Sequence, residues 1–93
     1  MPKVALERRK HPPVRNAVGL QIRKLRERRN WSQSDFAREL QLAGWDVERS
    51  IITKIELRRR CITDYELLLM VKTLGVPLSS LVMPKANELN ALF

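Results

Sequence analysis

Apolar residues recur at helical spacing through most of the chain. Val18, Ile22 and Leu25 stand four and three positions apart, and Phe36 and Leu40 repeat the spacing further on. A wider apolar stripe lies later in the sequence and consists of Leu67, Leu68, Met70, Val71 and Leu74. No segment alternates apolar and polar residues as a half-buried strand does. The pattern therefore predicts an all-α protein whose core is built from these residues.

Capping residues divide the pattern into five predicted helices. Ser32 with Asp35, and Thr63 with Glu66, have the spacing of a capping box, and Gly75 is a natural C-cap. Asn16 is expected to cap the first helix and Pro77 to occupy the first turn of the last one. The helices are predicted at about 17–29, 32–44, 47–57, 63–75 and 77–81.

The third predicted helix has two unlike faces. At about 100° per residue, its isoleucines share one side of the helix. The other side is polar and carries Arg49, Ser50, Thr53 and Lys54. We expect the aliphatic side to pack on the core and the polar side to stay free for a partner.

Charge narrows the choice of partner. The 93 residues have a formal net charge of +8, with eighteen Lys and Arg against ten Asp and Glu. Residues 1–15, 23–29 and 49–60 hold five cations each, so the charge lies in the first two thirds of the chain. A small chain this basic favours a polyanion, and DNA, RNA and an acidic membrane all remain possible on charge alone.

The sequence lacks the patterns that are typical of membrane proteins, zinc-binding proteins and enzymes. No apolar run approaches the roughly 20 residues that a membrane span needs, and a cytoplasmic protein is expected. Cys61 is the single cysteine and there is one histidine, too few soft ligands for a structural zinc site, so no cofactor is expected. There is no nucleophile beside a histidine and no glycine-rich phosphate loop. The sequence thus predicts a binding protein and no enzyme.

The chain is expected to have one domain with two extensions. Residues 1–15 contain a proline pair and no sustained period, which predicts a flexible basic arm. Residues 16–82 form the predicted domain, and residues 83–93 form a tail without a strong signal.

Three segments resemble one known family: "IRKLRERRNWSQSDFAREL", "VERSIITKIE" and "LLLMVKTLGVPLSSLV". In order and spacing they are similar to the Cro and phage-repressor type of helix-turn-helix domain, the XRE-like or lambda-repressor-like family. The resemblance covers roughly two thirds of the chain. It implies a compact five-helix domain whose third helix enters the DNA major groove.

The resemblance also implies roles for individual residues. The base contacts would come from Arg49, Ser50, Thr53 and Lys54, with Arg49 the best candidate for a bidentate contact to guanine. The phosphate contacts would come from Ser32, Gln33, Arg58, Arg59 and Arg60. Arg26 and Glu56 would form a structural salt bridge between the first and third helices. A solvated helix face is the alternative for the base contacts, and the arm residues Arg8, Arg9 and Lys10 either wrap the duplex or form an untethered tail.

The chain departs from the family pattern at the turn between helices two and three. Six residues, "QLAGWD", stand where the family commonly has a single glycine. We expect a widened turn in which the second helix continues through Leu42, Gly44 bends the chain and Trp45 packs on the core. Two further departures are Glu48 in place of a serine cap and the missing glycine after Glu56.

The resulting functional prediction is a transcriptional regulator that binds double-stranded DNA in a sequence-specific way. It would repress as a homodimer on a palindromic operator, and the dimer is implied by the resemblance. The candidate dimer contacts are Leu81, Val82, Leu89, Leu92 and Phe93. Two alternatives stay open: an antitoxin that holds a toxin partner, and a coactivator-like protein-interaction module that has lost DNA readout.

Overall fold

A computed structural model of the chain describes residues 14–82, which form five α-helices. They are α1 (Gly19–Arg28), α2 (Gln33–Leu42), α3 (Arg49–Glu56), α4 (Asp64–Leu74) and α5 (Ser79–Val82). No β-strand occurs among residues 14–82, and the predicted all-α, five-helix architecture is confirmed. None of these helices is long and apolar enough to cross a membrane. Residues 1–13 and 83–93, which include most of the predicted arm and the whole tail, lie outside the described residues.

The two predicted capping boxes are present. The backbone amide of Asp35 donates to Ser32 Oγ at 3.0 Å, and the Ser32 amide donates to Asp35 Oδ2 at 2.9 Å. Thr63 and Glu66 make the same reciprocal pair at the start of α4. Gly75 ends that helix with a left-handed φ of 72°, a conformation that costs glycine little. Local sequence signals therefore set both ends of α4 and the start of α2.

Helix α1 begins later than predicted. Its first helical residue is Gly19, and Val18 stands at the N-cap position without a side-chain cap. Asn16 still serves the first turn, because its Oδ1 accepts the Val18 and Gly19 amides at 3.2 and 2.8 Å. Asn16 thus accepts the first amides of α1 as predicted, but it lies two positions before the N-cap residue Val18.

The core collects the predicted apolar residues from every helix. The buried hydrophobic side chains are Val18, Ile22, Leu25, Phe36, Ala37, Leu40, Val47, Ile52, Ile55, Met70, Val71, Leu74 and Leu81. Leu68 was expected on the inner face of α4, but it is 53% exposed. At about 100° per residue it lies roughly 160° around the helix from Met70 and roughly 120° from Leu74, so the predicted stripe was too wide.

The turn between α2 and α3 is widened, as expected, and hydrogen bonds hold it on both sides of Gly44. Helix α2 ends at Leu42, Gly44 has a φ of 108°, and Trp45 packs against the core. The Trp45 amide donates to Leu40 O at 3.0 Å, and Gln41 Nε2 donates to Val47 O at 2.7 Å. Helix α3 starts at Arg49 rather than Val47, which is buried just before it.

Helix α3 packs between α1 and α2, while α4 packs on α2 and α5 packs on α1. This arrangement buries the isoleucine side of α3. The opposite side of α3 remains at the surface beside the N-terminus of α2.

Candidate nucleic-acid interface

The polar side of α3 is built as the sequence pattern predicts. Ile52 and Ile55 are fully buried, whereas Arg49, Ser50 and Lys54 are exposed. Thr53 is intermediate in exposure. We call these four residues, Arg49, Ser50, Thr53 and Lys54, the α3 polar surface. They share one face of one helix, and their contact with bases remains a prediction.

Thr53 is tied to the start of α2. Its Oγ1 donates to Gln33 Oε1 at 2.7 Å and lies 3.2 Å from Arg49 O, so its single hydrogen is used within the protein. Gln33 Nε2 in turn donates to Glu56 Oε1 at 3.0 Å. Gln33 therefore stands beside the α3 polar surface with its carboxamide held at both ends. One of its amide hydrogens is left for another acceptor.

Arg26 and Glu56 form a buried bidentate ion pair between α1 and α3. Arg26 Nε donates to Glu56 Oε2 at 2.7 Å and Nη2 donates to Oε1 at 3.0 Å, with the residues 8% and 4% exposed. Arg26 Nη1 also donates to Trp31 O at 2.7 Å. The hydrogen bond to Glu56 raises the pKa of the Arg26 guanidinium, so Arg26 stays charged although it is buried. Glu56 consequently receives bonds from α1 and α2 while it belongs to α3.

The three arginines after α3 have different surroundings. Arg58 adopts a left-handed φ of 60°, at the end of α3 where the sequence lacks the family glycine. For a residue with a Cβ this conformation costs roughly 1–2 kcal/mol. Arg59 is exposed, and its amide donates to Lys54 O at 2.9 Å. The strained backbone turns the chain sharply out of α3 and leaves Arg59 at the surface.

Arg60 has an intramolecular partner that the sequence analysis did not identify. Its Nη1 and Nη2 donate to the Glu66 carboxylate at 3.0 and 3.1 Å, and its guanidinium lies 5.9 Å from the centre of the Trp45 ring. The hydrogen bond from Arg60 lowers the pKa of Glu66, against the effect of burial. Glu66 was assigned only to the α4 cap. Its six-residue spacing from Arg60 crosses a loop, so no helical periodicity could reveal the pair.

The remaining candidate chemistry is sparse. Cys61 is an exposed free thiol. Across residues 14–82 no group of three His, Cys, Asp or Glu side chains is placed to hold a metal ion.

Known proteins share the helical architecture of this chain. A family model described as helix-turn-helix matches residues 22–81. The chain is similar to the crystal structure of a hypothetical transcription factor, NHTF, from Neisseria, with a TM-score of 0.66 and 24% sequence identity over 84% of each chain. At that identity the likeness shows the fold alone. No curated protein matches the chain.

Proposed function

The chain belongs to the helix-turn-helix family, and we propose that it is a transcriptional regulator that binds double-stranded DNA in a sequence-specific way. The observation that carries the proposal is the α3 polar surface. Exposed Arg49 and Lys54 stand on one side of a helix whose other side is locked into the core by fully buried Ile52 and Ile55. The B-DNA major groove, about 12 Å wide, admits one α-helix in such an orientation.

Within this proposal the base contacts divide by chemistry. Arg49 stands in the first turn of α3, where a long fork of donors can reach the two acceptors of guanine. Ser50 and Lys54 are exposed on the same face and can bond several bases or a phosphate. Thr53 donates its hydroxyl hydrogen to Gln33, so it offers a base mainly its methyl group and an acceptor.

The phosphate contacts would flank the α3 polar surface. Ser32 and Gln33 stand at the N-terminus of α2, where helix amides and the helix dipole favour an anion. Arg58, Arg59 and Arg60 follow the other end of α3. Arg59 is the most accessible of the three arginines to a phosphate. It is exposed, whereas Arg58 is partly buried and Arg60 pairs with Glu66. These contacts would be independent of sequence and weakened by salt.

We further propose that the protein represses as a homodimer on a palindromic operator. A single module of this size recognises few base pairs, and a second copy supplies affinity and discrimination. Leu81 was expected from the sequence to be a dimer contact. It cannot take this role, because it is 2% exposed and belongs to the core. The candidates Leu89, Leu92 and Phe93 lie outside the described residues.

Selection of bound duplexes from a random pool tests the proposal. We expect an enriched consensus with two-fold symmetry. Arg49→Ala should lower the preference for one base pair in each half of that consensus, by about 1–3 kcal/mol per base pair, or roughly 5- to 150-fold. Lys72→Ala removes the same charge from α4, outside the α3 polar surface, and should leave the consensus unchanged.

Enrichment of no sequence, together with equal binding to heparin and to every duplex at physiological ionic strength, would contradict sequence-specific readout. Absence of binding to every duplex, with binding to a protein partner, would instead favour the interaction-module hypothesis. A preferred duplex together with a bound toxin partner would favour the antitoxin hypothesis.

A further inference from the structure

The carboxamide of Asn16 joins the end of α3 to the start of α1. Its Nδ2 donates to Ile55 O at 3.1 Å and to Arg60 O at 2.9 Å, 39 and 44 residues along the chain. Its Oδ1 accepts the first amides of α1. Both amide hydrogens and the carbonyl oxygen are therefore used, and the side chain is partly buried.

These bonds close the segment that leaves α3 into a fixed loop. Ile55 O near the end of α3 already accepts the Arg58 amide at 2.9 Å, and Asn16 supplies a second donor to the same oxygen from outside the helix. Because the same amide group also holds Arg60 O, it sets the distance between the two ends of residues 55–60. The neighbouring Arg15 amide donates to Arg58 O at 2.9 Å. The strained left-handed residue is Arg58, whose own carbonyl accepts from Arg15. The carbonyls of Ile55 and Arg60, before and after it, accept from Asn16.

The close approach of α1 to this loop needs Gly19. A Cβ at that position would stand 2.2 Å from Ile55 O and 2.9 Å from Arg58 Cγ. The backbone oxygen cannot move away without moving α3. The start of α1 is therefore fitted directly against the end of α3.

We infer that Asn16 is a positioning residue for DNA binding, an inference that rests on the proposed function. By tying Ile55 O and Arg60 O to α1, it fixes the direction in which residues 58–60 leave α3. The proposed phosphate contacts of that loop and the proposed base contacts of α3 then face one duplex in one register. Without the tie, the loop keeps the bond from Arg15 to Arg58 O and the Arg60–Glu66 pair but loses its direct link to the end of α3, so the phosphate contacts hold α3 less firmly in one register.

Two substitutions separate this role from the local cap. Asn16→Ser and Asn16→Asp both keep an oxygen that can cap α1, and neither supplies the two amide donors. Asn16→Ser is neutral and Asn16→Asp is nearly isosteric, so a shared effect belongs to neither charge nor volume. Val71→Ala destabilises the core in α4 without touching the loop, and it controls for a general loss of stability.

The first measurement is the ratio of affinities for the selected duplex and for an unrelated duplex of equal length, made where every variant is fully folded. We expect both Asn16 variants to lower this ratio about tenfold, the factor that corresponds to roughly one lost hydrogen bond or slightly more. Val71→Ala should leave it within twofold. An unchanged ratio in both Asn16 variants, or a loss in the aspartate variant alone, overturns the inference.

The second measurement needs no DNA. Amide hydrogen exchange in the free protein should become faster at residues 57–59 in both Asn16 variants and remain unchanged across α4. Unchanged exchange at 57–59 shows that Asn16 does not hold the loop and also overturns the inference. If the wild type prefers no duplex, the proposed function fails and the positioning role fails with it, while exchange still reports whether the tie exists.

Discussion

Replacement of Glu56 by glutamine should be among the most destabilising single substitutions in the domain. The carboxylate is 4% exposed and accepts two bonds from Arg26 and one from Gln33. Glutamine has nearly the same shape but offers a single acceptor oxygen, and its amide group would face donors. Arg26 would remain charged and buried, because its other bond to Trp31 O does not neutralise it.

The expected loss follows from that unpaired charge. Removing one member of a buried ion pair typically costs about 3–5 kcal/mol, because the remaining charge stays out of water without compensation. For a domain of this size, a change of 1 kcal/mol shifts the melting temperature by about 4–8 °C. Glu56→Gln should therefore lower the melting temperature by about 12 °C or more. Since such domains have about 5–15 kcal/mol in total, partial unfolding near physiological temperature is expected.

Urea unfolding followed by circular dichroism measures the effect, and the chain offers a matched control. Glu27 makes an exposed pair with Arg23 on α1, with Arg23 Nε 3.7 Å from Glu27 Oε2 and side chains 57% and 54% exposed. Glu27→Gln makes the same chemical change and should cost about 0.5 kcal/mol or less, because exposed helix pairs are screened by water.

A double variant then tests the physical reason. Arg26→Met combined with Glu56→Met removes both charges, and it should be less destabilised than Glu56→Gln alone, because no buried ion is left unpaired. The single variants Arg26→Met and Glu56→Met complete the comparison. If Glu56→Gln costs less than about 1 kcal/mol, or if the double variant loses as much stability as these two single variants together, the argument from buried charge is refuted.

Three more predictions concern the loop after α3. Arg59→Ala should reduce the dependence of DNA affinity on salt by about one counterion, a change of about 0.9 in the log–log slope measured by titration at several salt concentrations; an unchanged slope would place Arg59 away from phosphate. Arg58→Gly should stabilise the fold by up to about 1 kcal/mol by relieving the left-handed strain, yet weaken DNA binding; a lower melting temperature would contradict the strain argument. Because Arg60 holds the pKa of Glu66 below its ordinary value of 4.5, the pair stabilises the fold above about pH 4.5, and this contribution is lost as the pH falls through the lower folded-state pKa. Glu66→Gln should flatten the fall of unfolding free energy below pH 4.5, and an unchanged acid limb would rule the pair out as its cause.

The helices and most core residues could be predicted because their signals are local. A capping box such as Ser32 with Asp35, and the left-handed Gly75, act within one turn of the backbone. The two faces of α3 follow from the helical period alone. The width of the stripe on α4 was misjudged, since Leu68 lies at its edge and period alone does not say how broad the covering surface is. The starts of α1 and α3 also lie two residues later than predicted.

The polar contacts between distant segments could not be read from such signals. Asn16 was identified as a cap for α1, but its two bonds to the end of α3 depend on how the helices pack. Arg60 belongs to a run of three arginines to which the sequence assigns the same role, contact with phosphate. Only the folded position of Glu66 shows that Arg60 is paired within the protein. Each case combines a local role that sequence shows with a tertiary partner that sequence does not show.

The buried pair of Arg26 and Glu56 links the core to the α3 polar surface. A purely apolar contact between α1 and α3 would stabilise the fold at least as well, because desolvation offsets much of the gain from a buried ion pair. Glu56 does something that an apolar residue cannot: it accepts from Arg26 on one side and from Gln33 on the other. Gln33 then accepts from Thr53. The chain of bonds starts at α1 and ends on the α3 polar surface, so the orientation of α3 and the position of Gln33 at the start of α2 are fixed by the same carboxylate.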